Sequence, residues 1–296
     1  MRGTVPLGAA VLLVFVFSAL IWHFSQVRAP QDPEYPGSKS IRYSFTVRNE
    51  QGSAVDGAVF RVYSPVAETS HQKVEGIEAN APFETLFDDN GNRVLAFELD
   101  TLAPFERRII SVQMQLATAS ESQPQALSDP NHFLRPEPFV ETHHPELASR
   151  AGLFTRDDEF ATAQAIYDWV RRHLSESEYM AQDRGALWAL RNRRGDCSQN
   201  MYLFMALARL HDIPTRGVGG FVVEDGSRTV YPIEYHNWAE VYINGAWHVV
   251  DPEQGVFLAN QDDYIAMRIL LPADESLLGP VHRYALEGDG VSVSMN

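Results

Sequence analysis

Residues 194–210 read RGDCSQNMYLFMALARL and contain Cys197, the only cysteine of the chain. Asp196 is suited to cap a helix N-terminus, and Gln199 three residues on completes a variant of the capping box. The apolar run over 201–208 then predicts a helix buried on most of its sides. Cys197 falls in its first turn, where the helix dipole and free backbone N–H groups favour a thiolate. Thiols in such settings have pKa values lowered from about 8.5 to roughly 3.5–7.5. Gly195, lacking a side chain, would let a substrate backbone approach. This stretch alone reads more readily as an inert core cysteine, since free Cys is among the most buried residue types and capping without a base makes no nucleophile.

The rest of the composition bounds the answer. The chain has 296 residues, 45% of them apolar and 21% charged, which is a globular composition longer than one average domain. A net charge of −15 argues against nucleic-acid binding and against adhesion to an anionic membrane surface. Residues 5–24 carry no Lys, Arg, Asp or Glu and are long enough to span a bilayer as a helix. The nearest signal-peptidase-like site, Val27-Arg28-Ala29, carries a bulky charge and precedes Pro30, so an uncleaved anchor over 1–26 is expected. Residues 27–39 hold Pro30, Pro33 and Pro36 and read as a stiff linker. A lone cysteine outside the cytoplasm forms no intramolecular disulfide, so its retention needs another reason.

From Ser40 the hydrophobic period becomes two. Ile41, Tyr43, Phe45 and Val47 alternate with polar residues, and further strand candidates follow at 58–62, 94–99 and 109–116. This predicts a small antiparallel β-sandwich over 40–118, structural or substrate-positioning, with no chemistry of its own. Asp88-Asp89-Asn90-Gly91-Asn92 reads as a hairpin turn. Its glycine comes too early for a calcium loop, and the twelfth position is Leu99. The polar segment 117–129 marks a domain boundary, leaving 130–296 as the second domain. His143, His144 and Glu146 lack a second ligand pair at a metal-binding spacing and read as solvated loop residues. No cofactor or metal site is expected. A helix should begin after Thr155, with an apolar stripe of Phe160, Ala163, Tyr167, Val170 and Leu174. A short one follows at 186–190, then the cysteine helix, ending near His211-Asp212 before Pro214. Residues 218–223 and 229–233 read as strands.

Residues 236–251, HNWAEVYINGAWHVVD, supply a base. Asn244-Gly245 between alternating runs predicts a type I′ hairpin. Ile243 then faces Ala246, Tyr242 faces Trp247, and continuation of the ladder brings Trp238 opposite Asp251. His236 shares a face with Asp251, at a diagonal of roughly 7–8 Å between backbones, within side-chain reach. His248 falls on the opposite face. Trp238 is expected on the His236 face and Trp247 on the other, so one tryptophan at most could wall the site. Read singly, His236 and Asp251 would be ordinary strand-end polar residues; read with Cys197 they make a Cys–His–acid set.

The two stretches together resemble the core of the transglutaminase-like superfamily. The pattern is Gly-x-Cys opening a helix, an Ile-Pro-x-Arg turn, His-x-Trp-x-Glu on one strand and Trp-x-x-x-Asp-Pro closing the next. It covers about residues 155–255, with one departure at Asp212, where Gly is common. By position the resemblance implies Cys197 as nucleophile, His236 as base and Asp251 as third member, with Arg216, Trp238, Glu240 and Trp247 as framework. It implies an α+β, papain-like fold in which the cysteine helix packs on an antiparallel sheet, here preceded by the sandwich and the N-terminal transmembrane helix.

These readings together predict a single-pass inner-membrane protein whose body faces the periplasm and acts on protein or peptide amide bonds of the cell envelope through a thioester. Hydrolysis, as a cysteine peptidase or amidase, is slightly favoured over glutamine transamidation, because no long insertion separates the two motifs to form a lid. A non-catalytic envelope scaffold is the reading of another class.

Overall fold

The computed structural model describes residues 33–177, 180, 184–272, 275–279 and 283–296. The expected anchor over 5–24 lies outside them. Among the described residues no helix is long and apolar enough to cross a membrane. Residues 35–296 form one compact unit.

Six strands come first: β1 (Gly37–Asn49), β2 (Ala58–Ser64), β3 (Gln72–Ala79), β4 (Glu84–Phe87), β5 (Arg93–Leu99) and β6 (Arg107–Thr118). The alternation expected from Ile41 to Val47 holds, with all four apolar side chains buried. They meet Phe60 and Phe97 of the facing sheet in one core, each such burial contributing about 1.5–3 kcal/mol. The 88–92 turn joins β4 to β5 as a hairpin. Asp88 accepts the N–H groups of Asn90 and Asn92, so its carboxylate serves the turn.

Helices follow: α1 (Pro145–Ala151), α2 (Glu159–His173), the short strand β7 (Ser175–Glu176), α3 (Ala186–Asn192), strand β8 (Arg194–Gly195) and α4 (Cys197–Arg209). The segment around His143 and His144 is therefore not all loop. His144 caps α1 by accepting the Glu146 N–H, while Glu146 pairs with Arg191. On α2 the buried stripe is Thr162, Ala163, Ile166, Tyr167 and Val170. Phe160 instead projects onto Phe257, with ring centroids 5.6 Å apart.

The remaining strands are β9 (Thr215–Val222), β10 (Ser227–Thr229), β11 (Tyr235–Ile243), β12 (Ala246–Asp251), β13 (Val256–Phe257), β14 (Tyr264–Ile269), β15 (Tyr284–Glu287) and β16 (Val291–Met295). One antiparallel sheet runs β13-β12-β11-β9-β14, and α4 covers one of its faces through Ala239, Val241, Ile243 and Val250. The others belong to the sandwich. β10 lies parallel to β1 and β16 antiparallel to it, while β15 extends β2. The strand expected at 229–233 thus stops at Thr229. Pro232 cannot donate to a ladder, and residues 232–234 form a 3-10 turn. The sandwich also begins inside the expected linker, at Gly37, and draws three strands from beyond residue 130.

The second face of the five-stranded sheet meets Val66 and His71 from the chain between β2 and β3, while Gln72 at the start of β3 and Asn92 before β5 hold the edge strand β14. Gln72 exchanges hydrogen bonds with Ala266, accepting its N–H at 2.8 Å and donating to its carbonyl at 2.9 Å. Asn92 does the same with Ile269. His71, fully buried, places Nε2 3.6 Å from Glu240. Burial holds its imidazole below the ordinary range; Glu240 pulls the other way, and Arg216 and His248 oppose the charge. The folded protein therefore binds fewer protons here than the unfolded chain, and stability is lost as pH falls below about 6.5. Against a His71→Gln variant, denaturant titrations should show the wild type losing up to about 1.4 kcal/mol more per pH unit across that window. Parallel curves would show that His71 titrates normally.

Candidate active site

Cys197 is the first residue of α4. Asp196 caps the helix, accepting the Ser198 N–H at 2.9 Å, and Gln199 reaches back to accept the Asp196 N–H at 3.0 Å. The other Asp196 carboxylate oxygen accepts the Met180 N–H, so the cap also fastens the approach to the cysteine. The backbone N–H of Cys197 carries no hydrogen bond among the described residues. Gly195 has a different role from the one its sequence position suggests. It is buried, and a Cβ there would collide with Gln199 Cβ, so the glycine makes room for the capping side chain rather than for substrate.

The hairpin forms as its turn dictates. Asn244 and Gly245 both have positive φ, 54° and 85°, as a type I′ turn requires. Ile243 pairs with Ala246 and Tyr242 with Trp247, and the ladder continues to Ala239 and Val250. His236 and Asp251 come out on one face, with His236 Nε2 2.6 Å from Asp251 Oδ2. Asp251 is buried, accepting also the Tyr264 hydroxyl at 3.0 Å and the Gln254 N–H at 3.1 Å. A ring nitrogen of His236, Cys197 Sγ and a Glu253 carboxylate oxygen all lie within 4.8 Å of one another. Nε2 is taken by Asp251, so Nδ1, 3.6 Å from Glu253, is the nitrogen on that side. The structure thus brings together Cys197, His236 and Asp251, and adds Glu253, which sequence reasoning missed.

His236 and Glu253 titrate away from their ordinary values, as does the Tyr264 hydroxyl, which burial and the Asp251 charge push up. Burial disfavours a charged His236, but the hydrogen bonds and charges of Asp251 and Cys197 outweigh it, and its pKa is pushed up to about 10. Burial pushes Glu253 up to about 7. His236 opposes that rise, while Asp251, Asp196 and Glu176 add to it.

Behind the site, Arg216 donates through Nε to Glu240 at 2.7 Å and lies over the Trp247 ring, 4.2 Å from its centroid. Trp247 therefore shares the face of Glu240, Trp238 and His236, contrary to the expectation that it would lie opposite. Cross-strand partners share a face, and Trp247 is the partner of Tyr242. Neither tryptophan walls the cleft, because both are fully buried. Trp238 backs His236 at 6.3 Å and meets Tyr264 edge-on. His248 does lie on the other face, near Gln261 and the Ile243 carbonyl.

The family model for the transglutaminase-like superfamily matches residues 149–252, which span the cap, the cysteine helix and the hairpin to Asp251. This stretch is a transglutaminase-like domain. Members of that family are generally cysteine enzymes. Among solved structures, a candidate cysteine protease from Cytophaga hutchinsonii is similar at 16% identity and a TM-score of 0.58, covering 87% of this chain and 89% of its own. At that identity the likeness speaks for the fold. The periplasmic domain of TgpA from Pseudomonas aeruginosa is similar at 15% identity and a TM-score of 0.39, covering 75% of this chain and 88% of its own. No curated protein matches the chain in sequence.

The Gly195 contact generates a test within the transglutaminase-like domain. Gly195→Ala should destabilise the protein by about 1–3 kcal/mol, as over-packing does, read from the midpoint of denaturant unfolding. Unchanged stability would mean that Gln199 can leave the cap freely.

Proposed function

We propose that the chain is a thiol-dependent enzyme that acts on protein or peptide amide bonds, with Cys197 as nucleophile, His236 as acid and base and Asp251 as the group that orients His236. The observation that carries this reading is the approach of Cys197, at a helix N-terminus, to an imidazole whose far nitrogen is held 2.6 Å from a buried carboxylate. Cys197 thiolate attacks the amide carbonyl, and the carbonyl oxygen takes up negative charge. The Cys197 N–H, which carries no hydrogen bond among the described residues, is suited to donate to that oxygen as an oxyanion donor. The C–N bond then breaks, His236 gives its proton to the leaving amine, and a thioester remains.

The raised pKa of His236 suits the first half of this cycle, since it keeps an imidazolium ready as acid. Thioester formation removes the thiolate and its share of that stabilisation. The imidazole becomes a weaker acid-holder and can take a proton from an incoming nucleophile. Water as that nucleophile gives hydrolysis, the reading favoured here, because the buried tryptophans supply no aromatic wall to exclude it. Transamidation is the second reading, favoured by the carboxyl of Glu253 beside the nucleophile, which would attract a protonated amine. We further propose that residues 5–24 tether the body to the inner membrane, facing the periplasm, where envelope proteins or peptides are the substrates. Support comes from the uncharged run of the sequence.

Cys197→Ala should abolish turnover of amide substrates, and His236→Ala should nearly do so, with the double variant no worse than the worse single one. Asp251→Asn should be milder, keeping shape but weakening support for the imidazolium. A thiol-reactive probe that labels Cys197 at the same rate in the wild type and in His236→Ala would favour the non-catalytic scaffold. Full turnover by Cys197→Ala would remove the nucleophile assignment.

For the tether, fractionation should find the full chain in the inner membrane, with residues 40–296 open to protease from the periplasmic side. Recovery of a soluble mature form beginning near Gln31 would overturn it.

A further inference from the structure

Three donors of different chemistry converge where only two are needed for the proposed reaction. Cys197 Sγ comes from the start of α4, a ring nitrogen of His236 from β11, and a carboxylate oxygen of Glu253 from the turn after β12, all within 4.8 Å of one another. No spacing along the chain displays this set, because its members lie far apart in sequence. We propose that Cys197, His236 and Glu253 form a three-ligand site for a thiophilic divalent cation of the zinc type, and that its occupancy reversibly switches the thiol off.

The geometry is close to what such an ion takes. Bonds of roughly 2.0–2.3 Å in a tetrahedron separate neighbouring ligand atoms by about 3.5 Å. His236 Nδ1 and Glu253 Oε2 already stand 3.6 Å apart. The histidine is supported as metal-binding histidines are, with its other nitrogen on a carboxylate, Asp251, which fixes the ring and strengthens the donor. Asp251 in turn is held by Tyr264 and Gln254. Glu253 has no other ion pair among the described residues. Its side chain is 16% exposed and that of His236 12%, which leaves solvent access for a water as fourth ligand.

The donor set selects the ion. One sulfur, one imidazole and one carboxylate suit zinc and its spectroscopic substitute cobalt(II), whereas magnesium and calcium want oxygen ligands throughout. Asp196 and Glu176 lie close enough to Glu253 to act on its charge, and they add negative potential that draws a cation in. Binding displaces to solvent the proton shared by Cys197 and His236 Nδ1, and metal–sulfur, metal–nitrogen and metal–oxygen bonds form with no change of oxidation state. The thiolate pair needed for attack is then occupied. As regulation of the nucleophile this rests on the function proposed above; metal binding itself needs only the donor atoms.

The test uses the full chain, purified free of metal, and titrates cobalt(II) while watching for thiolate-to-cobalt charge-transfer absorption. The charge-transfer band is expected in the wild type, to be displaced by zinc, and to be lost in Cys197→Ser. In parallel, zinc should slow alkylation of Cys197 by iodoacetamide at least about 10-fold, with EDTA restoring the rate. Glu253→Gln should weaken zinc binding at least about 10- to 100-fold, since the loss of a partner that only supports a ligand already costs that much. Glu253→Asp should fall between that variant and the wild type. Circular dichroism of each variant, and the metal-free alkylation rate of the two Glu253 variants, report whether it is folded. Absence of the charge-transfer band, or folded Glu253→Gln binding zinc as tightly as the wild type, would overturn the three-ligand site. A chain that binds cobalt and is protected by zinc yet turns over no amide would leave the site standing and remove the proposed reaction instead.

Discussion

The arrangement around Cys197 depends on a carboxylate that water does not reach. Asp251 is buried at the end of β12, and a buried carboxylate is tolerated only where its acceptor capacity is filled. Three donors fill it: the Gln254 N–H on one oxygen, the Tyr264 hydroxyl and His236 Nε2 on the other. Each fixes something different. The Gln254 contact shapes the turn that carries Glu253, and the His236 contact turns the ring so that Nδ1 faces the thiol side. Tyr264 brings in β14, two strands away from β11 in the sheet order.

That last dependence explains why the sandwich is more than an appendage. β14 is held along its outer edge by Gln72 on Ala266 and by Asn92 on Ile269, both from the N-terminal strands and their turns. Tyr264 also packs edge-on against Trp238, which backs the His236 ring. A chain of contacts therefore runs from the sandwich through β14 to the carboxylate that orients the histidine. The strands β10, β15 and β16 run the other way, lending the sandwich material from the second half of the chain. The sandwich does not close its core alone, since Phe221, Ile265 and Met267 of the five-stranded sheet sit in it.

What the sequence disclosed and what it withheld divide along the range of the interactions. The capping box at Asp196 and Gln199 spans three residues, and the type I′ turn at Asn244-Gly245 sets its register by local backbone geometry, so both could be read directly. The register then carried His236 and Asp251 to one face by parity alone. The same parity, followed from Tyr242 through its partner Trp247, places that ring on the face of Glu240. Glu253 was hidden for another reason. It lies beyond Pro252, outside the strand, where the period of two no longer says which way a side chain points. Its one signal was an acidic residue directly after Asp-Pro. β15 and β16 were missed because strands that complete a distant sheet leave no mark of their partners in the local pattern. Gly195 was legible as a glycine but not as a clearance, since the atom it accommodates belongs to the capping side chain of the next turn.

The position of Glu253 bears on how a site of this kind is kept under control. A carboxylate beside imidazolium competes with the thiolate for the same positive charge, and it places a like charge near the sulfur. Burial and neighbouring acids resist that outcome by raising the Glu253 pKa to about 7, so the competing charge is only partly developed at neutrality. A cation entering the cleft reverses the balance, because it is attracted by Glu253, Asp196 and Glu176 together and makes ionisation of the carboxyl favourable. An ammonium group of a substrate and a divalent metal ion both satisfy that condition, but with opposite consequences for the sulfur. In the proposed reaction the ammonium would leave Sγ free to attack, whereas in the proposed metal site the ion would bind it. The same acidic residue would thus admit a cationic substrate and make the nucleophile sensitive to a thiophilic ion, and substitution of Glu253 should affect both properties together.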